Sequence, residues 1–221
     1  MNETPGDGLL SPVAFTRDDE APDDRFYVVP RKVVHIDDGA IAALGALYAE
    51  ILPAGGRLLD LMSSWRSHLP PGFRAGAVVG LGLNAEEMAD NPQLGSHVVH
   101  NINHDPRLPL GDAEFDGAMC AVSIQYVIHP VLLLREVRRV LRPGAPFVVS
   151  FSNRCFPTKA VAVWLDTTDE QHVRLVRAYF ETAGGWADVK DEDRSPGHGD
   201  PLYAVWARVS SGTIDARPMT P

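Results

Sequence analysis

FDGAMCAVSIQYVIHPVLLLREVRRVLRPGAPFVVSF, residues 115–151, reads as strand, helix, strand. From Phe115 to Ser123 the run is too apolar for a strand with one wet face, so it predicts a strand buried on both sides. It ends in polar Ser123, Gln125 and Tyr126. From His129 to Leu141 the apolar residues Leu133, Leu134, Val137 and Leu141 fall on one helical face. Pro143-Gly144 stops that helix, and Pro146 to Phe151 is a second apolar strand. A strand, a helix and a strand in this order predict two parallel strands joined by a right-handed crossover. Such sheets bind ligands beyond the carboxyl ends of their strands.

Upstream, Asp37-Asp38 can cap a helix with the stripe Ile41, Leu44, Tyr48 and Ile51, which Pro53-Ala54-Gly55-Gly56 ends. Strands are expected at Arg57–Met62, Ala77–Leu81 and His97–His100. Downstream, Thr167 with Glu170 suggests a capping box for a helix running to about Thr182, before Gly184-Gly185. Two late strands follow near Ala187–Lys190 and Leu202–Val209. The pattern predicts an α/β fold: one mostly parallel seven-stranded sheet, Rossmann-like, with helices on both faces. It also predicts an acidic, solvated arm at 1–24, one domain at 25–209 and a fraying tail at 210–221.

The 221 residues suit one domain. A net charge of −9 argues against nucleic-acid binding through a basic surface and against docking on anionic membranes. Two cysteines, with no apolar run of signal-peptide or membrane-spanning length, predict free thiols in a cytoplasmic protein. His100, His104 and Asp105 lie close in sequence but in strand and loop, so no metal site is expected. Oligomeric state is not legible.

Two segments carry a family resemblance. Leu108-Pro-Leu-Gly-Asp-Ala-Glu-Phe-Asp116 resembles the approach to the fourth strand of class I S-adenosylmethionine-dependent methyltransferases, in particular the ubiquinone-biosynthesis-like group. Glu136-Val-Arg-Arg-Val-Leu-Arg-Pro-Gly144 resembles the same group's segment before the fifth strand. Phe26-Tyr27, Pro30-Arg31, His35-Ile36-Asp37 and Ser63-Ser64-Trp65-Arg66-Ser67-His68 resemble a narrower branch with an atypical cofactor loop. The resemblance implies the fold and S-adenosylmethionine as cofactor, and supplies no reaction partner.

Carried over residue by residue, the resemblance makes Asp60 the acid that contacts the methionine end of the cofactor. The glycine-rich turn is absent: Met62, Ser64 and Arg66 stand where its glycines fall. Ser63 and Ser64 offer donors instead, and Arg66 could pair with the cofactor's carboxylate. Gly82 stands where the family's ribose-binding acid falls, which makes Asn84 the nearest substitute, with Glu86 and Glu87 less direct. Asn101 and Ile102 match the adenine contacts, and Ser123 opens onto the transferable methyl.

For chemistry, His35 is the candidate general base, because histidine titrates near neutral pH. A packed histidine is the plainer alternative. Tyr27, Arg31, Trp65 and His68 are expected to line the acceptor pocket. Gln125, Tyr126, Asn153 and Arg154, at the ends of the fourth and fifth strands, complete it. Cys155 reads as an inert thiol. Small-molecule methylation is the leading expectation. The alternatives are a methyltransferase fold using its cofactor for cyclisation or rearrangement, and a non-catalytic partner subunit with a degraded cofactor site.

Overall fold

The structure is a computed structural model that describes residues 5–211. The strands are β1 Arg57–Leu61, β2 Ala77–Gly82, β3 Ser96–Val99, β4 Gly117–Ala121, β5 Pro146–Phe151, β6 Trp186–Asp193 and β7 Tyr203–Val209. They form one seven-stranded sheet in the order β3-β2-β1-β4-β5-β7-β6. The first five pair parallel. β7 runs antiparallel to both β5 and β6, so the sheet is mixed. The order reverses beside β1, which places the switch point between β1 and β4.

The helices are α1 Asp23–Phe26, α2 Asp38–Ile51, α3 Ala85–Ala89, α4 Pro130–Val140, α5 Ala162–Leu165 and α6 Asp169–Ala183. Alternate strand residues send two apolar layers to opposite faces. Leu58, Met119 and Val148 pack with Leu44, Leu47 and Tyr48 of α2. Leu59, Cys120, Phe147 and Val149 pack with Leu134 and Val137 of α4 and Val176 and Phe180 of α6. Asp37 caps α2, its side chain accepting from the Ala40 N–H at 2.9 Å. The capping box of α6 lies one residue later than expected, on Thr168 and Gln171.

Two features shape the site and the arm. Among the described residues no helix joins β1 to β2, so no helix begins at the cofactor loop. Residues 5–24, expected as a solvated arm, keep many exposed positions but are anchored to the core at several points. Phe15 is buried in the core beside Tyr179. Asp7 pairs with the buried His129 at 3.0 Å and accepts from the Leu132 N–H. Asp23 meets Arg17 at 2.8 Å and Lys159 at 3.3 Å. The arm looks solvated in sequence because its acids find their cations far along the chain. The tail expectation at 210–221 falls, from residue 212 on, outside the described residues.

Candidate functional site

A cavity of 130 Å³ opens beyond the carboxyl ends of β1, β2 and β4. Its floor is Asp60, the fourth residue of β1 and almost fully buried. The Ser63 and Ser67 hydroxyls both donate to Asp60 Oδ2, each at 2.6 Å. Oδ1 has no donor among the described residues. Burial pushes the Asp60 carboxyl up to about 6, and the two hydroxyls hold it from rising further.

That shift has a consequence for stability. A carboxyl raised from 3.8 to about 6 makes the folded state bind more protons than the unfolded one between those values. Stability is therefore favoured at low pH and declines as pH rises through about 6. Two units correspond to roughly 3 kcal/mol at most. Asp60→Asn is expected to raise the melting temperature at pH 8 and to lose that advantage toward pH 4. Melting curves across that range check this; a variant less stable at pH 8 would show that the carboxylate itself holds the loop.

The loop after β1 explains the missing glycines and the missing acid together. Met62 takes the left-handed conformation, φ 57°, that glycine adopts freely. The Ser63 N–H then bonds the Leu81 carbonyl at 2.8 Å, which lays the loop against the end of β2. A Cβ on Gly82 would come within 3.0 Å of the Ser63 carbonyl oxygen, closer than real Cβ atoms approach. No acid fits at position 82, and the carboxylate that lines this part of the cavity is Glu87.

Glu87 lies on α3 in line with Asn84 and Asp90, three residues apart on one helical face. All three grip residues 27–33, a strap that crosses the cavity. Asn84 Nδ2 donates to the Tyr27 carbonyl at 2.8 Å, and Glu87 Oε1 accepts from the Arg31 N–H at 2.6 Å. Asp90 pairs with Lys32 at 2.5 Å. Trp65 Nε1 adds a bond to the Val33 carbonyl at 3.1 Å. The Ser64 hydroxyl bonds Glu87 Oε2 at 2.5 Å.

The cavity brings together most of the residues expected from sequence: Tyr27, Arg31, His35, Asp60, Ser63 and Ser64, then Trp65, His68, Gly82, Asn101, Ile102, Ser123 and Tyr126. Four do not line it. Asn84 spends its amide on capping α3, through the Glu87 N–H, and on the strap. Gln125 is fully buried, because the chain turns into a short 3-10 helix at Ile124–Tyr126 and points its amide at the Val122 carbonyl. Asn153 is exposed, and Arg154 turns outward to Asp200 at 2.8 Å. The loop after β5 instead contributes Phe156 and Lys159. Glu87 was legible as the third residue after a helix cap, whereas nothing local marks Lys159.

Two of the cavity's histidines, His35 and His68, are pushed toward the neutral form. Burial, then the neighbouring Arg66 and His35, push His68 down to about 4. Burial lowers His35 against the opposing pull of Glu87. Its ring meets Phe156 edge-on at 4.8 Å. At neutral pH His35 thus presents an unprotonated nitrogen. Burial also raises Cys155, which keeps its thiol protonated and unreactive.

The strand order, with β7 inserted antiparallel between β5 and β6, decides the architecture. The chain has the fold of the class I S-adenosylmethionine-dependent methyltransferases. Residues 68–149 match the methyltransferase domain family. Over 99 residues the chain is 27% identical to a malonyl-[acyl-carrier protein] O-methyltransferase of Marinomonas sp.. That match covers 44% of the chain and spans only 37% of the relative's length. A SAM-dependent methyltransferase from Aquifex aeolicus superposes with a TM-score of 0.55 at 18% identity, covering 85% of this chain and 97% of that one. The [4+2]-cyclase SpnF superposes with a TM-score of 0.57, also at 18% identity, covering 86% and 92%.

The methyltransferase domain implies S-adenosylmethionine as cofactor, and the donor set fits it. Among the described residues Asp60 Oδ1 has no donor, as an acceptor for an amino group requires; Glu87 offers a carboxylate of the kind that takes ribose hydroxyls, and Leu83 and Ile102 offer apolar surface for a flat base. The cavity is smaller than the roughly 300–1,000 Å³ usual for a ligand site, and Tyr27, Arg31 and Val33 of the strap are part of its wall.

Proposed function

We propose that the chain is an S-adenosylmethionine-dependent methyltransferase whose acceptor is a small molecule admitted between the strap and the loops after β4 and β5. The observation that carries this reading is the buried Asp60 at the switch point, with one carboxylate oxygen lacking any protein donor at the floor of the cavity. When bound, the cofactor supplies an electrophilic methyl group. Asp60 and Glu87 anchor it, Ile102 and Leu83 flank its base, and Ser123 borders the reacting end. His35 accepts the proton that the acceptor releases, and closure of the strap excludes water and fixes the approach.

Glu87 links cofactor and strap. Glu87→Gln keeps an oxygen for the Arg31 N–H but removes the charge. The expected result is a loss of cofactor affinity of roughly tenfold to a hundredfold, read by isothermal titration. Unchanged affinity would remove Glu87 from the cofactor's contacts.

The similarity to SpnF favours one second reading, in which the bound cofactor supports cyclisation or rearrangement. Release of S-adenosylhomocysteine in step with product formation decides for methylation. Product formed with the cofactor unconsumed decides for the other chemistry.

A further inference from the structure

The mouth of the cavity is built from rings and from two arginines that have no carboxylate partner. Phe156 is the hub: its ring centroid lies 4.8 Å from His35, 5.4 Å from Phe26 and 6.2 Å from Tyr126. Phe26 also meets Tyr27 at 4.9 Å. These five rings come from segments far apart in the chain.

The guanidinium of Arg31 lies 4.0 Å above the Phe26 ring and 5.5 Å from that of Phe156. The guanidinium of Arg66 lies 4.3 Å above Trp65. Both arginines are exposed and both line the cavity. In a chain of net charge −9, neither pairs with a carboxylate among the described residues. Eight other arginines do, among them Arg17, Arg139 and Arg194; Arg25, Arg74, Arg107, Arg135, Arg138 and Arg208 do not, but none of these lines the cavity. Stacking fixes the plane of a guanidinium and leaves its in-plane N–H groups for a bidentate acceptor. Arg31 spends one of these on the Phe26 carbonyl, at 3.0 Å.

The acids of the cavity do not neutralise this pair. Asp23 is held by Arg17 and Lys159. Asp60 sits at the floor under two serines, and Glu87 is engaged by Ser64 and the Arg31 main chain.

We propose that the cavity mouth binds a planar aromatic molecule bearing a carboxylate, its ring packed on Phe156 and its carboxylate held by Arg31 and Arg66. Calling this molecule the acceptor rests on the methyltransferase reading; the binding site itself does not. The cofactor also carries a carboxylate, so the test fills the cofactor's seat first.

Saturation-transfer NMR with 4-hydroxybenzoate and with 4-hydroxybenzamide, at saturating S-adenosylhomocysteine, separates the two sources. The acid is expected to bind and the neutral amide to bind roughly tenfold more weakly. Arg31→Gln is expected to erase that preference while leaving the affinity for S-adenosylhomocysteine unchanged, and Arg66→Gln to erase it as well. Arg31→Lys, which keeps charge but loses the stacked fork, should recover little of it. Circular dichroism confirms that each variant is folded.

Equal binding of acid and amide overturns the proposal, as does binding of neither. So does a loss confined to S-adenosylhomocysteine, which would assign both arginines to the cofactor. Arginine-dependent binding of the acid by a protein that ignores S-adenosylhomocysteine would leave this inference standing and sink the methyltransferase reading.

Discussion

Gly82→Asp, which puts an acid where the resemblance to class I methyltransferases places one, is expected to destabilise the protein and to leave cofactor affinity no better. The reason is steric and local. The loop after β1 runs along β2 through the Ser63–Leu81 main-chain bond, so the Ser63 carbonyl occupies the space that any side chain at 82 would need. The atom in the way is backbone, which cannot swing aside as a side-chain tip can. Overpacking of this kind costs about 1–3 kcal/mol, and a forced loop shift adds to it. A fall in melting temperature on the order of 10 °C is expected for a chain of this size. Paired melting and titration measurements check it. A stable variant that binds S-adenosylmethionine more tightly would show that position 82 is the ribose site after all and that Glu87 is not.

Lys159→Met is expected to have an effect of similar size at the other side of the cavity. Lys159 is fully buried. Its ammonium donates to the Asp19 and Ala21 carbonyls, at 3.1 and 2.6 Å, and pairs with Asp19 and Asp23. Removing it leaves two part-buried hydrogen bonds to carbonyls unmade and part of the Asp23 charge without a partner. Breaking a buried pair from one side costs about 3–5 kcal/mol, here reduced because Arg17 and Asn103 still hold Asp23. The first effect should be release of residues 5–26 from the sheet, seen as rapid proteolysis within that segment before the core melts. Unchanged proteolysis would mean that Phe15 and the Asp7–His129 pair hold the arm without Lys159.

How much of this was readable in the sequence depends on the range of the interaction. The unit from β4 through α4 to β5 is specified by its own periodicity and by Pro143-Gly144, and its boundaries shift by only a residue or two. Asp60 was legible through the resemblance, which places an acid near the end of the first strand. The grip of α3 on the strap was half legible. Asn84 was expected to bind ribose because it is polar and close to the end of β2, yet helix capping claims it. Gln125 and Arg154 failed for a different reason: turns after β4 and β5 rotate them away, and sequence alone does not give that rotation. Packing of the arm could not be read at all, since Asp7, Asp19 and Asp23 find His129 and Lys159 only in the folded chain.

Isothermal titration of the full chain with S-adenosylmethionine and with S-adenosylhomocysteine tests the central claim most directly. The account predicts saturable binding of both, weakened in Glu87→Gln. No binding of either at millimolar concentration would contradict it and leave a methyltransferase fold that has lost its cofactor.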